Sequence, residues 1–281
     1  MTEPILYDSH MHTPLCKHAR GKPTAYAETA VKLGLKGITF TCHNPGPKGW
    51  SERVRMSLDQ LGDYVNMVEQ ARWQYDGKLN VQLGLESDYI PGIEPFLKKL
   101  HKQADFQFIL GSVHPQLPYY KETYYKNGDD TAYARGYFEH LAMAAESGLF
   151  DCLSHPDLIK NSMPDTWQVS DLLGDICHSL DRIAKTGVAM ELNTSGIHKR
   201  YKEMNPGRNI LAEMFQRNIP VVLGSDAHSP NRVAADFEDA LETLADVGYT
   251  HITHYINHQQ RHIHIQDALE SIQATKSVKP L

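Results

Sequence analysis

The segment "DSHMHTPLCKH", residues 8 to 18, packs three histidines, an aspartate and a cysteine into eleven positions. His10 and His12 stand two apart, so in an extended chain their imidazoles point to the same face and can grip one ion between them. Asp8 shares that parity and could either accept a hydrogen bond from a ligating imidazole or simply pack. A bare HxH is weak evidence, and the chain carries its own control. "HITHYINHQQRHIHI", residues 251 to 265, has five histidines and a second such pair, His262 and His264, but no carboxylate in a matching position. It reads as a terminal hairpin with solvent-facing imidazoles. What distinguishes the first cluster is its company: His18, then His43 in "TCHNP", Glu86 in "GLESD", His114 in "GSVHP", His155 in "SHPD", and Asp226 with His228 in "GSDAH". Any one of these, His43 for example, would pass as a satisfied buried side chain, whereas nine together would not.

The elements that must position them alternate along the chain. Apolar segments at 4 to 8, 36 to 41, 80 to 86, 106 to 113, 150 to 154, 188 to 192 and 219 to 225 read as strands. Helical patterns lie between them: Pro23 and Thr24 open one that Gly34 closes, and others run over 58–75, 93–103, 133–147, 170–186 and 208–217. Strands separated by helices imply parallel crossovers, and apolar runs without alternation imply burial on both faces. The expectation is one α/β domain over residues 1 to 281, a closed or nearly closed β/α barrel of seven strand-plus-helix units. An open doubly wound sheet is the runner-up, unsupported by any Gly-rich dinucleotide or phosphate loop. In a parallel barrel the C-terminal strand ends share one rim, and the nine candidates follow six of the strands.

Composition narrows the classes. The 281 residues are 41% hydrophobic and 22% charged, which suits a globular protein with a large core. A net charge of −6 argues against a nucleic-acid surface. An apolar run long enough for a bilayer and a secretory signal are both lacking, so a cytoplasmic protein without a membrane partner is expected. Cys16, Cys42, Cys152 and Cys177 form no CxxC pair and read as reduced thiols, with Cys16 a spacer between His12 and His18.

In this order the residues resemble the PHP (polymerase and histidinol phosphatase) superfamily of metal-dependent phosphoesterases. "CKHA" after HxH, "GLESDYIPG" and the chain length resemble its monofunctional histidinol phosphatases. The resemblance implies a distorted TIM-like (β/α)7 barrel with up to three divalent ions at its rim, which nitrogen and oxygen ligands leave open as zinc, manganese or iron. It implies one ion on His10, His12, Glu86 and Asp226, a second on Glu86, His114 and His155, and a third on His18, His43 and His228. Cys42 departs from it, standing where many members carry an acidic residue. Such ions generate a hydroxide near neutral pH and neutralise phosphate oxygens, which suits hydrolysis of a small phosphate monoester. Glu86, Asp226 and His228 are the expected catalytic residues. Lys199, Arg200, Asn193 and Ser195 in "NTSGIHKRYK", and more weakly Lys17 and Arg20, are candidates to hold the substrate. The tyrosine-rich connection 115 to 130 could be a lid or a self-packed loop, and Asp88, Asp157 or Glu122 could read a substrate amine. The expected function is histidinol-phosphatase in histidine biosynthesis. The alternatives are a phosphodiesterase or nuclease of the same superfamily, or a metal-binding protein without catalysis.

Overall fold

The computed structural model describes residues 4–47, 50 and 52–278. Seven strands, β1 (Tyr7–Met11), β2 (Gly37–Phe40), β3 (Asn80–Asp88), β4 (Phe108–Ser112), β5 (Cys152–Leu153), β6 (Ala189–Asn193) and β7 (Val221–Gly224), pair in chain order, each parallel to the next. The sheet closes on itself just past β7. Ala227 bridges Met11 in parallel, donating its N–H to the His10 carbonyl at 3.2 Å and accepting from His12 N–H at 2.9 Å. The fold is therefore an α/β barrel of the distorted (β/α)7 kind.

Helices α1 (Pro23–Lys32), α2 (Leu61–Gln74), α3 (Glu94–Leu100), α4 (Pro118–Tyr124), α5 (Asp130–Glu146), α6 (Val169–Thr186) and α7 (Arg208–Gln216) fill the crossovers. Two more, α8 (Phe237–Val247) and α9 (Ile265–Val278), escaped the sequence reading. Helix α6 shows why they form: Leu172, Ile176, Leu180 and Ile183 recur on one buried stripe, and Gly187 at φ 74° ends it. Burying each such side chain stabilises the fold by roughly 1.5–3 kcal/mol before entropy is counted. The tyrosine-rich connection is not a free loop. It contains α4, with Tyr120 fully buried and bonded to His140 at 2.7 Å. Among the described residues no helix is long and apolar enough to cross a membrane.

The barrel interior is layered. At the floor Phe108, Leu110, Cys152, Ala189 and Val222 form one buried apolar cluster with Tyr255. Tyr255 comes from the terminal hairpin, β8 (His251–Ile256) and β9 (Gln259–His264), antiparallel to each other, with β8 also parallel to β7 at Val222–Thr253. That hairpin is laced across the barrel bottom rather than hanging from it. The Gln82 amide donates to the Tyr255 carbonyl (3.0 Å), the Tyr255 hydroxyl to the Asp151 carbonyl (2.8 Å), and His258 N–H to the Gln107 carbonyl (2.9 Å). His251 and His264 are exposed, but His254 is half-buried, stacked on Tyr7 with ring centroids 4.3 Å apart. One layer higher the same inward parity carries polar groups: His10 on β1, Glu86 on β3, Ser112 on β4 and Glu191 on β6.

Replacing Tyr255 with alanine should cost about 3–5 kcal/mol of stability, and with phenylalanine about 1 kcal/mol, measured by urea denaturation. Metal should still bind, because Tyr255 offers no ligand atom to the cluster. An unmoved urea midpoint in Tyr255→Ala would remove the hairpin's role as a plug.

Candidate metal centre

Parity along the strands delivers the side chains. β1 extends further than residues 4 to 8, so His10 lies within the strand and His12 just beyond it; Glu86 likewise lies inside β3. Gly224 makes room, since a β-carbon there would stand 1.9 Å from Glu191 Oε1 and 2.7 Å from His10 Cβ. All nine sequence candidates converge on one region, and two of them hold unusual backbone conformations, His155 at φ 25° and Asp226 at φ 50°. Strain of this kind persists where the surroundings over-determine a residue.

Glu86, wholly buried, is the centre. Its Oε1 lies 3.0 Å from His155 Nε2 and 3.2 Å from His114 Nε2, and accepts a hydrogen bond from Ser112 at 2.8 Å. Its Oε2 lies 2.6 Å from His43 Nδ1, 3.6 Å from His10 Nε2 and 3.7 Å from His12 Nε2. Asp226 Oδ1 is 3.1 Å from His12 Nε2 and 3.7 Å from His10 Nε2, and those two nitrogens are 3.1 Å apart. Tetrahedral ligands on bonds of about 2.0–2.1 Å are separated by about 3.4 Å, so these spacings suit an ion at their middle. A third grouping joins His12, His43 and His228, all within 4.8 Å of one another, and His18 with His228 and Cys16, equally close.

The hydrogen bonding supports the same use. His10 Nδ1 lies 2.7 Å from Glu191 and His114 Nδ1 2.6 Å from Asp88, while His18 and His228 turn Nδ1 to the main-chain carbonyls of Cys16 (2.7 Å) and Asp226 (2.9 Å). Each bond fixes a tautomer that leaves Nε2 with its lone pair facing the cluster. His43 Nδ1 and Glu86 Oε2 are close but misaligned for a hydrogen bond. Both atoms, with His12 Nδ1 and His228 Nε2, are buried without a hydrogen-bond partner. Buried polar atoms so orphaned are costly unless something else binds them, and a cation does.

Charge is arranged accordingly. Burial would lift the Glu86 carboxyl, but the imidazoles of His43, His114 and His10 hold it well below the usual carboxylate range. Asp226 is held down in the same way by Lys199 and His10 against its own burial. Burial would lower His114, but the Asp88 and Glu86 carboxylates outweigh it and raise the imidazole to about 9. His10 is raised well above its ordinary value, since Glu191, Asp226 and Glu86 overcome its desolvation. Without an ion, protons on His10 and His114 therefore balance the ionised carboxylates.

The nearby groups separate clearly. Ser195 Oγ donates to Asp226 Oδ2 at 2.9 Å and Lys199 Nζ lies 3.1 Å from the same oxygen; both line an open cavity of about 450 Å³ with Gln116, His198 and Arg232. Asn193 is buried and bonded to Glu191 at 3.0 Å. Arg200 turns away to Asp165 at 2.8 Å on the surface, Lys17 reaches the Glu52 carbonyl, and Arg20 is exposed. Asp88 is engaged by Arg55 at 2.5 Å, Asp157 by Lys160 at 2.9 Å, and Glu122 is exposed on α4. Asp8 accepts from the N–H groups of Ser225 (3.0 Å), Ala234 (2.8 Å) and His10 (3.3 Å), so it staples backbone and does not reach an imidazole. Glu191 takes that place. Its sequence signal was a single carboxylate inside the apolar "VAMEL".

A barrel whose rim gathers buried imidazoles and carboxylates around unpartnered lone pairs defines a candidate metal-binding barrel protein. Residues 8–195 match the PHP domain, and the chain belongs to that family. It is 38% identical over 258 residues to a Deinococcus radiodurans protein named a probable histidinol-phosphatase, covering 88% of this chain and 96% of that one. It is 28% identical to the histidinol-phosphatase of Bacillus subtilis, over 84% of this chain and 98% of that one. In fold it is similar to the histidinol phosphate phosphatase of Lactococcus lactis, solved in complex with zinc, L-histidinol and phosphate. The TM-score is 0.75 at 18% identity, covering 91% of this chain and 98% of the other.

Glu191→Gln should weaken zinc binding by roughly 10–100-fold, because an amide does not stabilise the His10 ligand as a carboxylate does. Competition against a chromogenic chelator measures it, and wild-type affinity would remove Glu191 from the centre.

Proposed function

We propose that the chain is a metal-dependent phosphate monoester hydrolase, a histidinol-phosphatase that converts histidinol phosphate and water to histidinol and phosphate. In this reading residues 1 to 281 make one cytoplasmic domain acting in histidine biosynthesis. The observation that carries it is Glu86, whose two oxygens face two different sets of imidazoles, as a carboxylate shared between ions would. His10, His12, Glu86 and Asp226 would hold one ion, Glu86, His114 and His155 a second, and His18, His43 and His228 a third. Nitrogen and oxygen donors accommodate zinc, manganese or iron. Bound divalent ions supply a hydroxide nucleophile near neutral pH and neutralise charge on phosphate.

The chain's own residues do the rest. Glu86 and Asp226 set the spacing of the centre, and Glu191 and Asp88 keep two of its imidazoles in the ligating tautomer. Lys199, fixed beside Asp226 at the cavity wall, presents an ammonium to a phosphate oxygen, with Ser195 orienting the Asp226 carboxylate. His228 and Asp226 line the same cavity and are the groups this reading assigns to the departing alkoxide. Asn193, Arg200, Lys17 and Arg20 have no direct part in holding the substrate in this reading. The relatives' names support the substrate, and the −6 net charge favours a small ester over a polyanion.

Phosphate release from histidinol phosphate should exceed that from a generic monoester by roughly a hundredfold or more in kcat/KM. Equal rates, or preference for a phosphodiester, would overturn the substrate assignment. Glu86→Ala should lose metal and at least roughly a thousandfold in kcat, since it removes the shared ligand as well as its charge; a fully active variant would sink the ligand assignment. Lys199→Ala should retain its metal and lose about a hundredfold in kcat/KM. Unchanged kinetics would remove Lys199 from phosphate binding.

A further inference from the structure

Cys16 lies at the end of a short turn, Pro14–Cys16, after which Lys17 at φ 70° swings the chain back so that His18 Nδ1 reaches the carbonyl of Cys16 itself. Cys16 is fully buried at the edge of the apolar core, yet ring nitrogens also stand beside its sulfur. Cys16, His18 and His228 offer ligand atoms all within 4.8 Å of one another, and Cys16, Cys42 and His12 form a second such triangle. Both His18 and His228 spend Nδ1 on carbonyls and keep Nε2 free. His228 Nε2 and the Nδ1 of the wholly buried His12 have no hydrogen-bond partner. Cys16 Sγ also accepts the N–H of Ala19 at 3.3 Å, a donor of the kind that steadies negative charge on sulfur.

We infer that Cys16 is a thiolate ligand of the ion held by His18 and His228, so that the third site is a sulfur–nitrogen site beside two nitrogen–oxygen ones. On binding, the sulfur–metal bond forms as the thiol proton leaves to solvent. Cys42 is the rival. Its sulfur already accepts from the N–H of Thr13 (3.5 Å) and the hydroxyl of Thr13 (3.2 Å), which suits a thiol held beside Cys16 rather than a ligand. A thiolate makes this site softer than its neighbours and tilts it toward zinc and away from manganese. The inference rests on the metal centre proposed above, but its readout does not depend on activity.

The full chain, stripped with a chelator and reloaded with cobalt(II), should show intense near-ultraviolet thiolate-to-cobalt charge-transfer absorption. Cys16→Ser should lose that absorption and hold about one ion fewer by elemental analysis, whereas Cys42→Ser should keep it. Cys152 sits in the barrel floor and Cys177 on α6, outside both triangles, so neither supplies the signal. Cobalt bound without the absorption overturns this inference alone, and a chain that binds no cobalt overturns the metal centre as well. Absorption that survives Cys16→Ser, or disappears in Cys42→Ser, also refutes it. If Cys16→Ser fails to fold, the wild-type and Cys42→Ser spectra decide by the same criteria.

Discussion

A carboxylate sealed from water must be compensated, and Glu86 is compensated from five directions. The imidazoles of His10, His12, His43, His114 and His155 approach its two oxygens from four strands and the segments that follow them. Removing an ionised carboxylate from solvent costs several kcal/mol even after relaxation, so the group survives only where cations or protons answer it. The rest of the rim follows from that constraint. Glu191 and Asp88 stand behind two of the imidazoles, and Arg55, itself almost wholly buried, balances Asp88.

A closed barrel is what makes this arrangement sustainable. Alternating residues of each strand face inward, and the inward column changes character with height: Phe108 and Leu110 give way to Ser112 along β4, and Ala189 to Glu191 along β6. Tyr255 packs into the apolar layer below, so the polar layer is lined underneath by apolar side chains and opens toward the cavity above. The floor thus lowers the dielectric under the cluster and strengthens each charge interaction within it.

The parts legible in the sequence were those with a short-range signature. Strand and helix alternation gave the barrel, and the same-face spacing of His10 and His12, together with ligand types after successive strands, pointed to the rim. What escaped depends on contacts across the barrel. Glu191 meets His10 over 181 residues of separation, and Asp8 meets Ser225 over 217, so the choice of which carboxylate backs the imidazole had no local trace. Arg55 lies in a stretch without strong helix or strand pattern, and only its salt bridge to Asp88 reveals it. In the linear sequence Cys16 reads as a spacer between His12 and His18, and the spacing gives no hint of the turn at Lys17 that brings it beside His18 and His228.

The cluster is electrically lopsided, and the lopsidedness has a direction. Around His10, His12, His114 and His155 the carboxylates of Glu86, Glu191, Asp226 and Asp88 crowd together, whereas His18 contacts a backbone carbonyl and His228 has Asp226 as its one carboxylate partner. The carboxylate charge available to any bound ion is therefore concentrated on the buried side, and on the side of His18 and His228 the Cys16 thiolate inferred above would be the main further anion. That side opens on the cavity lined by Lys199 and Arg232. A phosphate dianion entering it would meet the Lys199 ammonium and the Arg232 guanidinium on the cavity wall. Since electrostatic focusing depends on low-dielectric walls as much as on charge, the same burial that makes Glu86 expensive is what would give the entering anion its orientation.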